Sequence, residues 1–159
     1  MPEPEGADAQ RRFEQCYESS WLSTFRFALA WTNDWAAAED LAQEAFLRLW
    51  AKRDTIDWSR PMLPWLLQVT RRLATDRFRA LRKLSPLVDR HSDGLDAYAR
   101  LRWLDLQAGM SVLTPAQRSA LVLVTVLGFD TAEAAIVLET SESSVRAAIS
   151  RARKRLTRQ

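Results

Sequence analysis

Two sets of cations at helical spacing have the chemistry to neutralise a phosphodiester backbone. Arg146, Arg151, Arg153, Lys154, Arg155 and Arg158 stand around an apolar stripe of Val145, Ala148, Ile149, Ala152 and Leu156. That is the pattern of an amphipathic helix with one basic side. Ser141 precedes it as an N-cap, its hydroxyl able to accept from a first-turn backbone N–H. In a second helix, Gln68, Arg71, Arg72, Thr75, Arg79, Arg82 and Lys83 crowd the side opposite a stripe of Met62, Leu66, Val69, Leu73 and Leu84. Phe78 flanks that side, Trp58 and Trp65 lie just upstream, and Asp76 and Asp89 are its nearest acids. Guanidinium groups interleaved with aromatic rings suit single-stranded nucleic acid, where phosphates are neutralised and unpaired bases stack. The plainer alternative makes each tryptophan a core residue and each basic face solvated surface.

A third set has the opposite sign. Asp40, Gln43, Glu44 and Leu47 share one exposed helix face, opposite a stripe of Ala38, Leu41, Ala42, Ala45 and Leu49. DNA would repel this face, so it suits a protein partner or plain solvent. The segregation extends along the chain. Residues 1–50 carry four basic against nine acidic side chains, residues 51–90 ten against four, and residues 131–159 six against three. Two basic segments separated in sequence point to two contacts with a polyanion.

These sets need helices to hold them. At 159 residues, 47% hydrophobic, with only four glycines and few β-branched runs, the chain reads as all-α, with one domain or two small helical ones. Residues 1–12, MPEPEGADAQRR, read as a disordered lead-in. Residues 13–84 form a first domain, with helices from Phe13 to about Ala30, from Ala36 to about Lys52, and from Pro64 to about Leu84. Residues 85–94 break the pattern with Ser, Asp and Gly and read as a flexible linker. Residues 95–159 form a second domain, opening with a helix from Leu95 to Val112. Thr114, Pro115 and Gln117 restart the chain with a capping box, Gly128 ends that helix, and Asp130 with Glu133 caps the next. The last two helices then have the spacing of a helix-turn-helix, with Ala135 at the crossing, Glu139 in the turn and Val145 packing back. Glycine is common at the turn, where the backbone goes left-handed. An ordinary helical hairpin would share much of this pattern.

As a helix-turn-helix, the second helix enters the major groove. Ser143, Ser144, Arg146, Ala147, Ser150 and Arg151 then face base edges, and Arg153, Lys154 and Arg155 face phosphates. Other chemistries are poorly provided for. His91 and Cys16 are the only histidine and cysteine, and no glycine-rich phosphate loop appears, so neither an enzyme, a bound cofactor nor a metal site is expected. A lone cysteine excludes an internal disulfide framework and fits a reducing cytoplasm. No apolar run approaches the ~20 residues of a membrane span, and the N-terminus lacks a signal-peptide pattern.

Three stretches, AEDLAQEAFLRLW (38–50), PWLLQVTRRLATDRFRA (64–80) and LTPAQRSALVLVTVLGFDTAEAAIVLETSESSVRAAISRARKRL (113–156), resemble in this order the extracytoplasmic-function sigma factors of bacteria. The resemblance runs from about Phe13 to Leu156. It implies a region-2 domain that binds core RNA polymerase and melts and reads the −10 element, a linker, and a region-4 domain that reads the −35 element as duplex. Asp40, Gln43 and Glu44 match the surface that grips the clamp helices of the β′ subunit, and the β flap is a further implied contact. Arg72 and Asp76 match positions near the −10 bases, and Arg146, Ala147, Ser150 and Arg151 match the −35 readers. Arg72 stands where many members have Asn, and Ala148 where a basic residue is common. An anti-sigma factor usually restrains the family. The competing reading is a free-standing helix-turn-helix regulator that binds a duplex operator without polymerase. It accounts for residues 114–156 but not for the basic helix at 62–84 or the acidic face at 40–47.

Overall fold

The computed structural model describes residues 5–82 and 105–158, and every regular element among them is helical. The order is α1 (Glu5–Thr32), α2 (Trp35–Ala51), α3 (Leu63–Arg82), a helical stretch at 105–110, α4 (Pro115–Thr125), α5 (Thr131–Val137) and α6 (Glu142–Leu156). The all-α expectation holds, and the helix starts fall where their capping residues place them. Asp34 caps α2 by accepting from the Ala37 N–H. Thr114 with Gln117 and Asp130 with Glu133 form reciprocal capping boxes at α4 and α5, each satisfying two N–H groups that lack a partner within the helix.

One boundary differs from expectation. Residues 5–12 continue α1 rather than forming an unstructured lead-in. Asp8 and Arg12 pair at 2.9 Å and Gln10 donates to Glu14 at 2.9 Å, both one turn apart, so the polar run supports its own helix. The linker expected at 85–94 lies outside the described residues, as does most of the helix expected over 95–112, which ends at Met110. Among the described residues no helix is long and apolar enough to cross a membrane.

α1, α2 and α3 bury the expected stripes against one another. Ala38, Leu41, Ala42, Ala45 and Leu49 of α2 are all buried, joined by Phe46. On α3, Leu66 and Val69 are buried while Met62 and Leu73 are half-buried, Leu67, Thr70 and Ala74 are buried as well, and Leu84 of the expected stripe lies outside the described residues. The wider stripe has a cause: α3 is covered from two sides. Leu67, with Phe27 of α1, enters a core formed by Ala120 and Leu123 of α4, Ala134, Ala135 and Val137 of α5, Leu138, and Val145 and Ile149 of α6. The C-terminal helices thus close directly over α1 and α3.

Polar contacts fix this closure. The guanidinium of Arg118, only 7% exposed, donates to the carbonyls of Ala30 at 2.6 Å, Trp31 at 3.1 Å and Leu113 at 2.6 Å. Ala30 and Trp31 lie in the last turn of α1, where carbonyls have no partner within the helix and a cation is favoured. Asn33, left-handed at φ 50°, ends α1 by donating its N–H to the Leu29 carbonyl at 2.8 Å, an asparagine version of the glycine cap. Its side chain and that of Gln107 exchange hydrogen bonds with each other's backbone carbonyls at 3.1 and 2.5 Å.

Candidate nucleic-acid interface

α5 and α6 form the helix-turn-helix. Ala135 at the crossing and Val145 packing back are both buried. The turn is closed by the Thr140 N–H donating to the Ala135 carbonyl at 3.0 Å, with Glu139 left-handed at φ 52°. Ser141 caps α6 by accepting from the Ser144 N–H at 3.2 Å. With Val145, Ile149 and Ala152 facing inward, Ser143, Ser144, Arg146, Ser150, Arg151, Arg153 and Lys154 are exposed and Ala147 is half-buried. Eight of the nine residues of this helix expected to meet DNA therefore border one face, Arg155 being the exception.

That face is partly pre-set. Glu142 accepts from the Thr131 hydroxyl at 2.6 Å and from Arg146 at 2.5 Å. The hydroxyl bond first, and the Arg146 charge next, hold its carboxyl below the ordinary range. Arg146 is thereby held at the N-terminal end of α6, the end that meets base edges in this motif. Arg155, expected on phosphate, donates instead to the Val112 carbonyl at 2.9 Å, so it braces α6 against the turn before α4.

The basic side of α3 is less uniform than its sequence. Arg72, Asp76 and Arg79 are exposed, Arg71 is mostly covered, and the half-buried Thr75 donates its hydroxyl to the Arg71 carbonyl at 2.9 Å. The aromatic residues divide. Trp58 and Trp65 are half-buried against Ala45, Leu49, Leu66 and Val69, and the Trp58 indole N–H donates to the Arg53 carbonyl at 2.9 Å. Both rings thus pack on the core, and Phe78, 53% exposed, is the most exposed of the three. Arg71 also donates to Glu139 at 2.7 Å, and Arg72 pairs with the other oxygen of the same carboxylate. The turn of the helix-turn-helix therefore sits on the face expected to hold single-stranded DNA. Nothing in the sequence pattern marked that contact.

On α2, Asp40, Gln43, Glu44 and Leu47 are all exposed, Leu47 by 62%. Asp40 lies 3.6 Å from Arg77 and Glu44 3.4 Å from Arg48. Beside Gln43 and Leu47 the surface dips into a concavity lined by Phe13, Tyr17, Phe46 and Trp50. The acidic face thus has an aromatic flank, Phe13 and Tyr17 from α1 and Phe46 and Trp50 from α2, a suitable surface for a protein contact. Sequence periodicity placed Phe13 in α1 but gave no sign that it borders this face.

Two family models match successive stretches of the chain. The model for sigma-70 region 2 matches residues 21–84, and that for sigma-70 region 4 matches residues 103–156. The "Probable RNA polymerase sigma factor RfaY" of Xanthomonas campestris pv. campestris is 37% identical over 92% of this chain, which spans only 40% of that relative's length. The ECF RNA polymerase sigma factor SigM of Bacillus subtilis is 30% identical over 90% of this chain and 91% of its own. The fold is also that of the sigma factor RpoE of Bartonella quintana, solved in complex with the anti-sigma factor NepR. That similarity has a TM-score of 0.73 at 24% identity, over 92% of this chain and 94% of that one. With the two region models in order along its length and a relative matched nearly end to end, the chain belongs to the extracytoplasmic-function sigma factors of the sigma-70 family.

Proposed function

We propose that the chain directs core RNA polymerase to its promoters by binding alone, with three faces in three roles. The exposed side of α6 reads the −35 element as duplex, with Ser143, Ser144, Arg146, Ala147, Ser150 and Arg151 toward base edges and Arg153 and Lys154 toward phosphate. The basic side of α3, through Arg71, Arg72, Thr75, Asp76 and Arg79, holds the opened −10 strand, with Phe78 as the most accessible stacking ring. Trp58 and Trp65 support that surface from beneath. The acidic face of Asp40, Gln43, Glu44 and Leu47 binds the β′ clamp helices, and the C-terminal half meets the β flap. The single observation that carries this reading is the presence of an acidic, partly apolar face and a capped basic recognition helix on opposite halves of one chain. The family resemblance adds a restraining anti-sigma factor and action in the cytoplasm.

The recognition helix gives a direct test. With holoenzyme bound to a panel of single-base −35 variants, Arg151→Ala loses preference at one base pair, worth about 1–3 kcal/mol there, and little elsewhere. Lys154→Ala weakens every variant alike and lowers the slope of log affinity against log salt by about one. Equal effects of Arg151→Ala on all variants would remove it from the base readers.

A further inference from the structure

We propose that Glu142 is a specificity residue of the recognition helix, whose carboxylate selects a cytosine in the −35 element by accepting from the exocyclic amine of that base. The proposal rests on α6 reading duplex DNA as described above. Glu142 is the first residue of α6, at the end that meets base edges in this motif. It shares one side of the helix with Arg146, Ser150 and Arg153, which follow at successive turns. Its side chain is 41% exposed, so a base edge can reach it.

The sign of its charge sets Glu142 apart. Every other charged side chain of α6 is basic. An acid on this side repels phosphate and lowers affinity for DNA of any sequence. Two structural roles explain part of its presence: an acid in the first turn suits the helix dipole, and Glu142 with Arg146 is a one-turn ion pair. Those roles occupy only one oxygen. The Thr131 hydroxyl and the Arg146 guanidinium both donate to Oε1, at 2.6 and 2.5 Å, and among the described residues no group donates to Oε2. The Thr131 bond, and then the Arg146 charge, also hold the carboxyl below its ordinary range. Glu142 therefore meets DNA as an anion that accepts and cannot donate.

The chemistry of the major groove then makes the selection. A G·C pair shows the cytosine N4 amine, a donor, beside the guanine O6 and N7 acceptors. Glu142 and Arg146 present the matching pattern, an acceptor beside donors. A guanidinium has five N–H groups, and Arg146 uses one on Glu142. The two side chains are paired before DNA arrives, so less of their freedom is lost on binding. Guanine or thymine in place of the cytosine sets an acceptor oxygen against the carboxylate, which is then desolvated without a partner. Adenine offers an amine but places its N7 acceptor next to it.

Holoenzyme binding to duplex promoters that carry each of the four bases at every −35 position tests this, with thermal unfolding of each variant alongside. The wild type should prefer cytosine over guanine or thymine at one position by about 5- to 150-fold. Glu142→Ala should lose that preference, and should bind the guanine and thymine promoters more tightly than wild type does, because the repelling charge is gone. Glu142→Gln can still accept from Thr131 and Arg146, and its amide can also donate, so it should tolerate guanine and thymine at that position. A cytosine analogue without the exocyclic amine should weaken the wild type as much as a wrong base and leave Glu142→Ala unaffected. Glu142 variants that weaken every promoter alike, or that leave every base preference unchanged, would overturn the proposal and make Glu142 a brace of α6 alone. Lys154→Ala tells that failure from a failure of the −35 reading. If it weakens every sequence while the Glu142 variants change no preference, the reading stands and the cytosine role falls. If neither residue's loss alters binding to any −35 sequence, the reading falls and takes the cytosine role with it.

Discussion

Replacing Asp40 and Glu44 together by alanine weakens binding to core RNA polymerase about 30-fold or more and leaves the fold intact. The size follows from desolvation: truncating a charge inside a contact costs roughly 2–5 kcal/mol, and each ~1.4 kcal/mol is tenfold in affinity. The intact fold follows from exposure. Both carboxylates stand on the outer face of α2, and their partners Arg77 and Arg48 are surface contacts at 3.6 and 3.4 Å. Such pairs contribute about 0–1 kcal/mol to stability. The buried stripe beneath, Leu41, Ala42, Ala45 and Leu49, is untouched. Fluorescence titration against purified core enzyme, with thermal unfolding alongside, separates the two effects. A folded double mutant that binds core with wild-type affinity removes this face from the polymerase contact.

Arg118→Ala acts on the fold rather than on binding, and its expected cost is about 3 kcal/mol. The substitution leaves the carbonyls of Ala30, Trp31 and Leu113 without their shared donor. A buried polar group left unsatisfied costs roughly 1–3 kcal/mol, and the last turn of α1 also loses its cation. For a chain of this size that is a fall in Tm of about 6–12 °C. Arg118→Lys should fall between, because an ammonium keeps the charge but not the planar fork that reaches three carbonyls. Calorimetry reads both. An alanine variant that melts within about 2 °C of wild type would show that the closure does not depend on Arg118.

Arg118 also shows where sequence reasoning stops. Local signals were legible because their physics is local. The Thr114–Gln117 and Asp130–Glu133 boxes, the Ser141 cap, Ala135 at the crossing and Val145 behind it each need only neighbours within a few residues. The stripes of α2 and α6 were legible for the same reason, since each faces one way. Contacts between the two halves were not legible. Leu67 and Thr70 are buried because α3 is covered from a second side, which no periodicity in α3 reveals. Arg118 looks like any other surface arginine until α1 ends against it. Glu139 stood out as a residue where glycine would fit better, but its carboxylate has a purpose only once α3 lies opposite. The helical run at 5–12 was missed because a polar, acidic start resembles a free terminus, although its one-turn pairs support a helix.

The central claim is that this chain gives core RNA polymerase a promoter specificity the enzyme lacks alone. Transcription of genomic DNA by purified core polymerase, with and without the chain and with transcript starts mapped, tests it most directly. The account predicts starts that appear only with the chain present, preceded by a common pair of sequence elements near −35 and −10. Starts unchanged by the chain, together with tight binding of the chain by itself to a duplex operator, would contradict it and favour a free-standing regulator.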